Sequence, residues 1–213
     1  MNVLELFAGS KSIGKCADGL FFESYSSDIQ QFGGIDYVTD ILEFDVTKIP
    51  FKPDIIWASP PCTAFSVAAI GKNWIKDGDN YIPKNPRAEF GLKLVQKTLE
   101  IIEYFKPTYF FIENPRGMLR KMPIMAHLKR QGVTYCQYGD TRMKPTDIWT
   151  NSDKWIPRPM CSNGSSCHIS APRGSRTGTQ GLSNAYERSK IPEDLCIEIL
   201  KSCTEDCRTK NLL

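Results

Sequence analysis

"NVLELFAGSKSIGKCADGL", residues 2–20, sets how the rest of the chain is read. An apolar run ends at Gly9, and Ile13, Cys16, Ala17 and Leu20 then recur at three- and four-residue intervals. The run reads as a short buried strand and the recurrence as one face of a helix, joined by a tight turn at the glycine. Strand, turn and helix make the first half of a βαβ unit. The turn "ELFAGS" resembles a nucleotide-cofactor loop, in which glycine lets the backbone approach the ligand.

Working outward, the pattern repeats. "FFESYSSDI" (21–29) reads as a second strand with Asp28 at its end, and "DYVTDILEF" (36–44) leads through a turn containing Asp40 to "DIIWASPPC" (54–62). "LKLVQKTLEIIEYFKP" (92–107) places Leu92, Val95, Leu99, Ile102 and Phe105 on one helical face and stops at Pro107. "TYFFIEN" (108–114) is an apolar strand ending in an acid, "VTYCQYGD" (133–140) is a further strand, and "DIWTN" (147–151) follows a turn. Strands alternating with helices predict an α/β fold built on a mostly parallel sheet. Residues 67–90 have no clear period and read as a long, mobile, functional loop. "PRGMLRKMPIMAHLKRQG" (115–132) reads as a broken helix, and residues 152–183 as an irregular Pro/Gly/Ser-rich insert. "IPEDLCIEILKSC" (191–203) closes the chain as a helix with Pro192 in its first turn and Leu195, Ile199 and Cys203 facing inward.

Composition bounds the function. The 213 residues are 41% apolar and 24% charged, with no apolar run near the roughly 18 residues of a membrane span. The start, "MNVLELFAGS", lacks a secretory pattern, so a cytoplasmic protein is expected, and with it reduced thiols, a metal site or catalysis for the eight cysteines. Net charge is only +3, but residues 115–190 hold thirteen basic against four acidic side chains, a local +9 that leaves −6 elsewhere. A phosphate-backbone partner would select such a half; a solvated charged surface would look the same.

In open α/β sheets, ligands bind at the carboxyl ends of strands. Gly9, Asp28, Asp40, Cys62, Glu113 and Gln137 all fall at predicted strand ends. Asp28 is placed to hold ribose hydroxyls and Asp40 an adenine amino group, although both also suit plain polar turns. Cys62 alone reads as a small buried hydrophobe. The flanking Pro60 and Pro61, the Phe65-Ser66 pair and the downstream Glu113-Asn114 pair turn that reading toward a nucleophile.

With "LFAG" (6–9), "SPPCTAFS" (59–66), "FFIENPRG" (110–117), "QYGDTRMKPTDIWTN" (137–151) and "SKIPEDLCIEIL" (189–200) in order, the chain resembles the DNA cytosine-5 methyltransferases. The resemblance implies a Rossmann-like S-adenosylmethionine-dependent fold with helices on both sheet faces. It divides the single domain into a catalytic and cofactor-binding core at 1–151, a reduced target-recognition insert at 152–186 and a closing helix at 187–213. Cys62 would attack carbon 6 of cytosine, making carbon 5 an enamine carbon able to take a methyl group. Glu113 would donate to ring nitrogen 3, Asn114 would hold local structure, and Lys144 and Arg142 would supply positive charge to the thiol. Phe7, Gly9, Asp28, Asp40 and Pro60 would line the cofactor site, with Phe7 against adenine.

The family's basic motif departs here to Arg142, Met143, Lys144, Pro145 and Thr146, and Lys11 and Ser12 stand where further glycines are usual. Tolerance of a modified methyl donor is one expected consequence. Ser66, Arg173 and Arg176 are the expected nucleic-acid contacts, to DNA with the cytosine flipped out of a duplex or in a single strand. So short an insert implies sparse base readout and a monomeric, phage-type or restriction-modification enzyme acting in the host cytoplasm. The same chemistry on tRNA is a rival reading, and a binding protein that has lost catalysis is another. Separately, Cys161, Cys167 and His168 with Cys136 offer four soft ligands of the number and type a structural zinc takes, against the alternative of unrelated thiols.

Overall fold

The computed structural model describes residues 1–170 and 184–204. Strands β1 (Asn2–Leu6), β2 (Glu23–Asp28), β3 (Tyr37–Val38), β4 (Ile55–Ala58), β7 (Tyr109–Pro115), β8 (Arg130–Thr134) and β9 (Pro145–Thr150) form one sheet in the order β3-β2-β1-β4-β7-β9-β8. The first five are mutually parallel and β9 runs antiparallel to both neighbours. This is the mostly parallel α/β architecture expected. Strand order reverses between β1 and β4, so the crevice for a ligand lies above their carboxyl ends.

Alternation along the strands divides the core by face. Leu4, Leu6, Ile56, Ala58, Phe110 and Ile112 point to the side covered by α3 (Pro86–Phe105). Val3, Ile55, Trp57, Tyr109 and Phe111 point to the opposite side, covered by α1 (Ser12–Gly19) and α5 (Glu193–Ser202). Successive strand side chains face opposite ways, and in a sheet covered on both faces both sets are apolar, hence the continuous runs in the sequence.

Residues 67–90 are not the unstructured loop expected. They hold α2 (Ile70–Asn73) and a hairpin of β5 (Trp74–Asp77) and β6 (Asn80–Pro83), turned through Gly78 at φ 57°. Four-residue strands are too short to show a period, and the Gly78-Asp79 pair was the only local signal. α3 begins at Pro86, capped by Asn85 accepting from the Ala88 amide at 3.0 Å, earlier than its apolar period indicates. Its buried face is Leu94, Val95, Thr98, Ile101, Ile102 and Phe105; Leu92 and Leu99 only flank it. The broken helix of 115–132 is two single 3-10 turns that run into β8. β8 ends at Thr134, and Tyr135–Tyr138, expected as strand, is a 3-10 turn closed by Gly139 at φ 83°.

The insert is irregular over residues 152–170, as expected, but it lends one anchor to the main core. Trp155 is buried edge-on to Phe111, and its indole N–H donates to Glu198 of α5. A short α4 (Ala185–Ser189), unsignalled by any period, leads into the closing helix. Among the described residues no helix is long and apolar enough to cross a membrane.

Candidate active site

The turn after β1 bends sharply. Phe7 (φ 56°), Gly9 (φ 48°) and Lys11 (φ 54°) all have left-handed backbone, which a non-glycine residue adopts only at some strain. The Gly9 amide donates to Asp28 Oδ2 at 2.9 Å, joining the carboxyl ends of β1 and β2. The nearest atom to where a Gly9 side chain would stand is Ser189 Oγ, 3.9 Å away, so the backbone there is an open cradle. Lys11 holds its conformation by donating to the Gly34 carbonyl at 2.8 Å and reaching Asp36 at 3.4 Å. Asp28 also accepts from the Gln30 amide, and Asp40 caps a 3-10 turn by accepting from the Leu42 amide. Both acids therefore serve as turn residues, each just past or at the carboxyl end of its strand.

Glu5 was not singled out by sequence, though an acid inside a buried central strand is itself a signal, since its charge requires partners. Its carboxylate accepts from the Ile13 and Gly14 amides at 3.2 and 2.8 Å, at the amino end of α1. Burial nevertheless raises its pKa from 4.5 to about 7, the two amides only partly offsetting it. Because the folded pKa is the higher one, this group's stabilisation is complete below about pH 4.5 and is lost as pH rises through 7. Glu5→Gln should therefore gain on the wild type by roughly 2–3 kcal/mol between about pH 5 and pH 8, read from urea midpoints.

The thiol and the carboxyl come from adjacent strands. Cys62 opens a 3-10 turn after β4, and Glu113 lies in β7, the next strand in the sheet. The two motifs are tied together twice. Asn114 donates from Nδ2 to the Pro60 carbonyl at 2.8 Å, and the Met118 amide donates to the Phe65 carbonyl at 2.7 Å where Ser66 bridges to Gly117. A Cβ on Gly117 would stand 2.2 Å from the Phe65 oxygen, so the contact needs a residue without a side chain. Gly117→Ala is expected to destabilise the fold by about 1–3 kcal/mol and to lower activity by moving the thiol loop, checked by urea unfolding alongside kcat. From the other side, Trp74 and Asn73 both donate to the Ala64 carbonyl, at 2.8 and 3.0 Å, and Trp74 stacks on Phe65. Asn73 and the base of the hairpin thus clamp the loop that carries Cys62.

Glu113 is buried and accepts from the Tyr135 hydroxyl at 3.0 Å. Burial, then the Glu113 charge, holds the Tyr135 hydroxyl far above its ordinary pKa, so it stays a donor. Lys144 Nζ is 3.9 Å from the same Glu113 oxygen, 4.4 Å from the Tyr135 ring centre, and donates to the Arg188 carbonyl at 3.1 Å. Burial lowers the Lys144 pKa, while Glu113 opposes that shift. For Cys62, burial and then Glu113 push the thiol up, and the charges of Lys144 and Arg188 pull it down. Tyr135 and Arg188 were not foreseen: Tyr135 lay in a segment read as strand, and Arg188 reaches the thiol from some 126 positions downstream.

Arg142 does not join this group. It is buried, pairs with Asp140 through its guanidinium, and donates to the carbonyls of Glu187, Arg188 and Lys190. It is a strut fastening the segment before α5 to the 138–142 turn, and its donors are spent there. A cleft of about 460 Å³ beside it, walled by Tyr138, Asp140, Arg142, Glu187 and Glu193, does not include Cys62 or Glu113. Much of the basic half is likewise committed internally, with Arg120 and Arg130 on buried Asp147 and Arg158 on Glu198. Arg173 and Arg176 lie outside the described residues. Cys136, Cys161, Cys167 and His168, scattered over 33 positions, do come together, their ligand atoms all within 4.8 Å of one another.

A switch-point crevice with a glycine cradle on β1, and a thiol beside a buried carboxyl on β4 and β7, define a Rossmann-like methyltransferase. The chain belongs to the C-5 cytosine-specific DNA methylase family, whose pattern residues 1–124 match. A protein of Frog virus 3 (isolate Goorha) described as a probable DNA (cytosine-5)-methyltransferase is 30% identical over 225 aligned positions, covering 95% of this chain and all of that one. Two solved structures align more loosely: a DNMT2 variant from Spodoptera frugiperda (TM-score 0.47, 16% identity) and S. pombe Dnmt2 (TM-score 0.46, 13% identity). Each alignment covers 74% of this chain, which spans about half of each of those two, 55% and 52%.

Proposed function

We propose that the protein transfers a methyl group to carbon 5 of cytosine in DNA through a covalent bond between Cys62 and carbon 6. The observation that carries this reading is the pairing of Cys62 with Glu113 on neighbouring strand ends, the carboxyl kept in place by Tyr135. The Cys62 thiolate adds to carbon 6, and electron density moves toward ring nitrogen 3, where Glu113 delivers its proton. Carbon 5 becomes nucleophilic. After methylation, loss of the carbon 5 proton to a solvent base expels the thiolate, and ring nitrogen 3 returns its proton to the Glu113 carboxylate, which restores the ring. Splitting one hard substitution into addition and elimination is the gain of covalent catalysis.

S-adenosylmethionine, when bound, supplies the electrophilic methyl. The Gly9 cradle, Phe7 and the carboxylates of Asp28 and Asp40 would hold it at the carboxyl edge of β1 to β3, next to Cys62 across the switch point. Pro60, whose carbonyl Asn114 holds, is the proposed cofactor contact on the β4 side of the switch point. Lys144 and Arg188 oppose the burial that keeps Cys62 protonated. Ser66, Arg173 and Arg176 are the proposed contacts to the nucleic acid. The target cytosine must leave its stack to reach a thiol set into this crevice.

The test is incubation with labelled donor and 5-fluorocytosine-containing DNA, with unlabelled DNA and tRNA as competitors. A covalent protein–DNA adduct whose formation unlabelled DNA suppresses supports the reading. Suppression by tRNA alone moves the substrate to RNA, and neither adduct nor label transfer on either polymer overturns the reading.

A further inference from the structure

The insert over residues 152–170 poses a problem of stability. It has no regular secondary structure, and after Trp155 its apolar side chains Ile156 and Ile169 are left to solvent, 82% and 67% exposed. Yet it folds back onto the end of β8 along a defined path. The Cys161 amide donates to Thr134 Oγ1 at 2.9 Å, the Ile169 amide donates to the Thr141 carbonyl at 2.8 Å, and the chain between them turns at Gly164 with φ 87°. Trp155 and Arg158 hold the start of the insert, but two such hydrogen bonds do not hold the coreless stretch 159–170 against its conformational entropy.

What converges there is a set of metal ligands. Cys136 Sγ lies 3.1 Å from Cys161 Sγ and 3.7 Å from Cys167 Sγ, and His168 Nδ1 lies 3.6 and 3.7 Å from the Cys161 and Cys167 sulfurs. A tetrahedron with metal–sulfur bonds of about 2.3 Å and a metal–nitrogen bond of about 2.0–2.1 Å sets its ligand atoms roughly 3.5–3.8 Å apart. Three of these four separations fall in that range and the Cys136–Cys161 one is shorter, whereas bonded sulfurs would be about 2.05 Å apart. All three cysteines are free thiols. The His168 ring turns Nδ1 toward the sulfurs while its buried Nε2 has no partner, so hydrogen bonding at the far nitrogen does not account for its orientation. Three thiolates and an imidazole, the ligands that the described residues bring together here, make the donor set of a structural site selecting zinc over harder cations.

We propose that Cys136, Cys161, Cys167 and His168 bind one zinc ion that clamps the insert to the end of β8. Binding exchanges thiol protons for metal–sulfur bonds, with no change of oxidation state. The clamp sits one residue from Tyr135, whose hydroxyl holds Glu113. Metal at Cys136 therefore fixes the 3-10 turn that presents this hydroxyl.

The test is elemental analysis of the full chain purified without chelator, expected to give about one zinc per chain. Exchange with Co²⁺ should give the visible and thiolate-to-cobalt absorption bands of a tetrahedral sulfur-rich site. Cys167→Ser and His168→Ala should lower retained metal to near zero after dialysis, whereas Cys16→Ser and Cys203→Ser should keep it. If the ligand variants fail to fold, the cobalt spectrum of the unaltered chain still decides. A reduced chain that takes up no zinc or cobalt when titrated overturns the proposal, as does full metal retention in the Cys161→Ser, Cys167→Ser double variant. None of these readouts depends on methyl transfer, so they stand apart from the proposed reaction.

Discussion

Cys62→Ala is expected to abolish the adduct with 5-fluorocytosine DNA and to lower kcat for methyl transfer by at least about 10³-fold, because the remaining groups cannot make carbon 5 nucleophilic. The fold should survive the change. Phe65 and Ser66 donate to the Cys62 carbonyl, and Trp74, Asn73 and Gly117 fix the residues after it, so the loop does not hang on the thiol. Unfolding midpoints should match, which separates lost chemistry from lost structure. In the wild type, burial and the Glu113 charge raise the thiol above its ordinary pKa, so the thiolate is a minor species at neutral pH. The rate at which iodoacetamide alkylates Cys62, which reads the thiolate alone, should accordingly climb with pH, approaching tenfold per unit below the thiol's pKa. Lys144→Met removes one cation that opposes the rise and should shift that climb to higher pH. A Cys62→Ala protein that still forms the adduct would remove the thiol from the mechanism, and an alkylation rate flat between about pH 7 and pH 9 would remove the raised thiol.

The parts legible in sequence were those whose signal is local. β1, its glycine turn and α1 follow from one nineteen-residue stretch, and β4 and β7 from apolar runs that parallel central strands require. Cys62 and Glu113 were readable because each ends such a run. Short elements escaped: β5 and β6 have four residues each, and the 3-10 turn at Tyr135–Tyr138 follows Val133 and Thr134 of β8 with no break in strand-favouring residues. Long-range pairings escaped for a different reason. Arg142 reads as a basic residue in a basic motif, but its partners Asp140 and the carbonyls of Glu187, Arg188 and Lys190 become visible only when the chain end returns to the sheet. The charge near the thiol was expected from Arg142 and Lys144, and the fold instead places Lys144 and Arg188 there. The Cys and His cluster was readable by residue type alone, since 24 residues separate Cys136 from Cys161 and no local spacing rule reaches that far.

Glu113→Gln is expected to lower kcat by about 10²–10⁴-fold while DNA binding stays close to wild type. The amide is nearly the same size, still accepts from Tyr135, and still offers an N–H toward ring nitrogen 3. What it lacks is a transferable proton. If the carboxyl only recognised the base, glutamine would suffice and the loss would be small; if it neutralises the charge that Cys62 attack creates, the addition step itself fails and adduct yield falls with kcat. Tyr135→Phe distinguishes positioning from chemistry at the same atom. It deletes the hydroxyl 3.0 Å from Glu113 Oε1 and leaves a buried acceptor short of a donor, with Lys144 3.9 Å away as the nearest cation. That substitution should cost about tenfold in kcat, the size of one unmade buried hydrogen bond. Combined with Glu113→Gln it should cost little more than Glu113→Gln alone, because Tyr135 acts through the carboxyl. Near-wild-type turnover in Glu113→Gln would show that the cytosine ring takes its proton from elsewhere, and the pairing of β4 and β7 strand ends would then no longer explain the reaction.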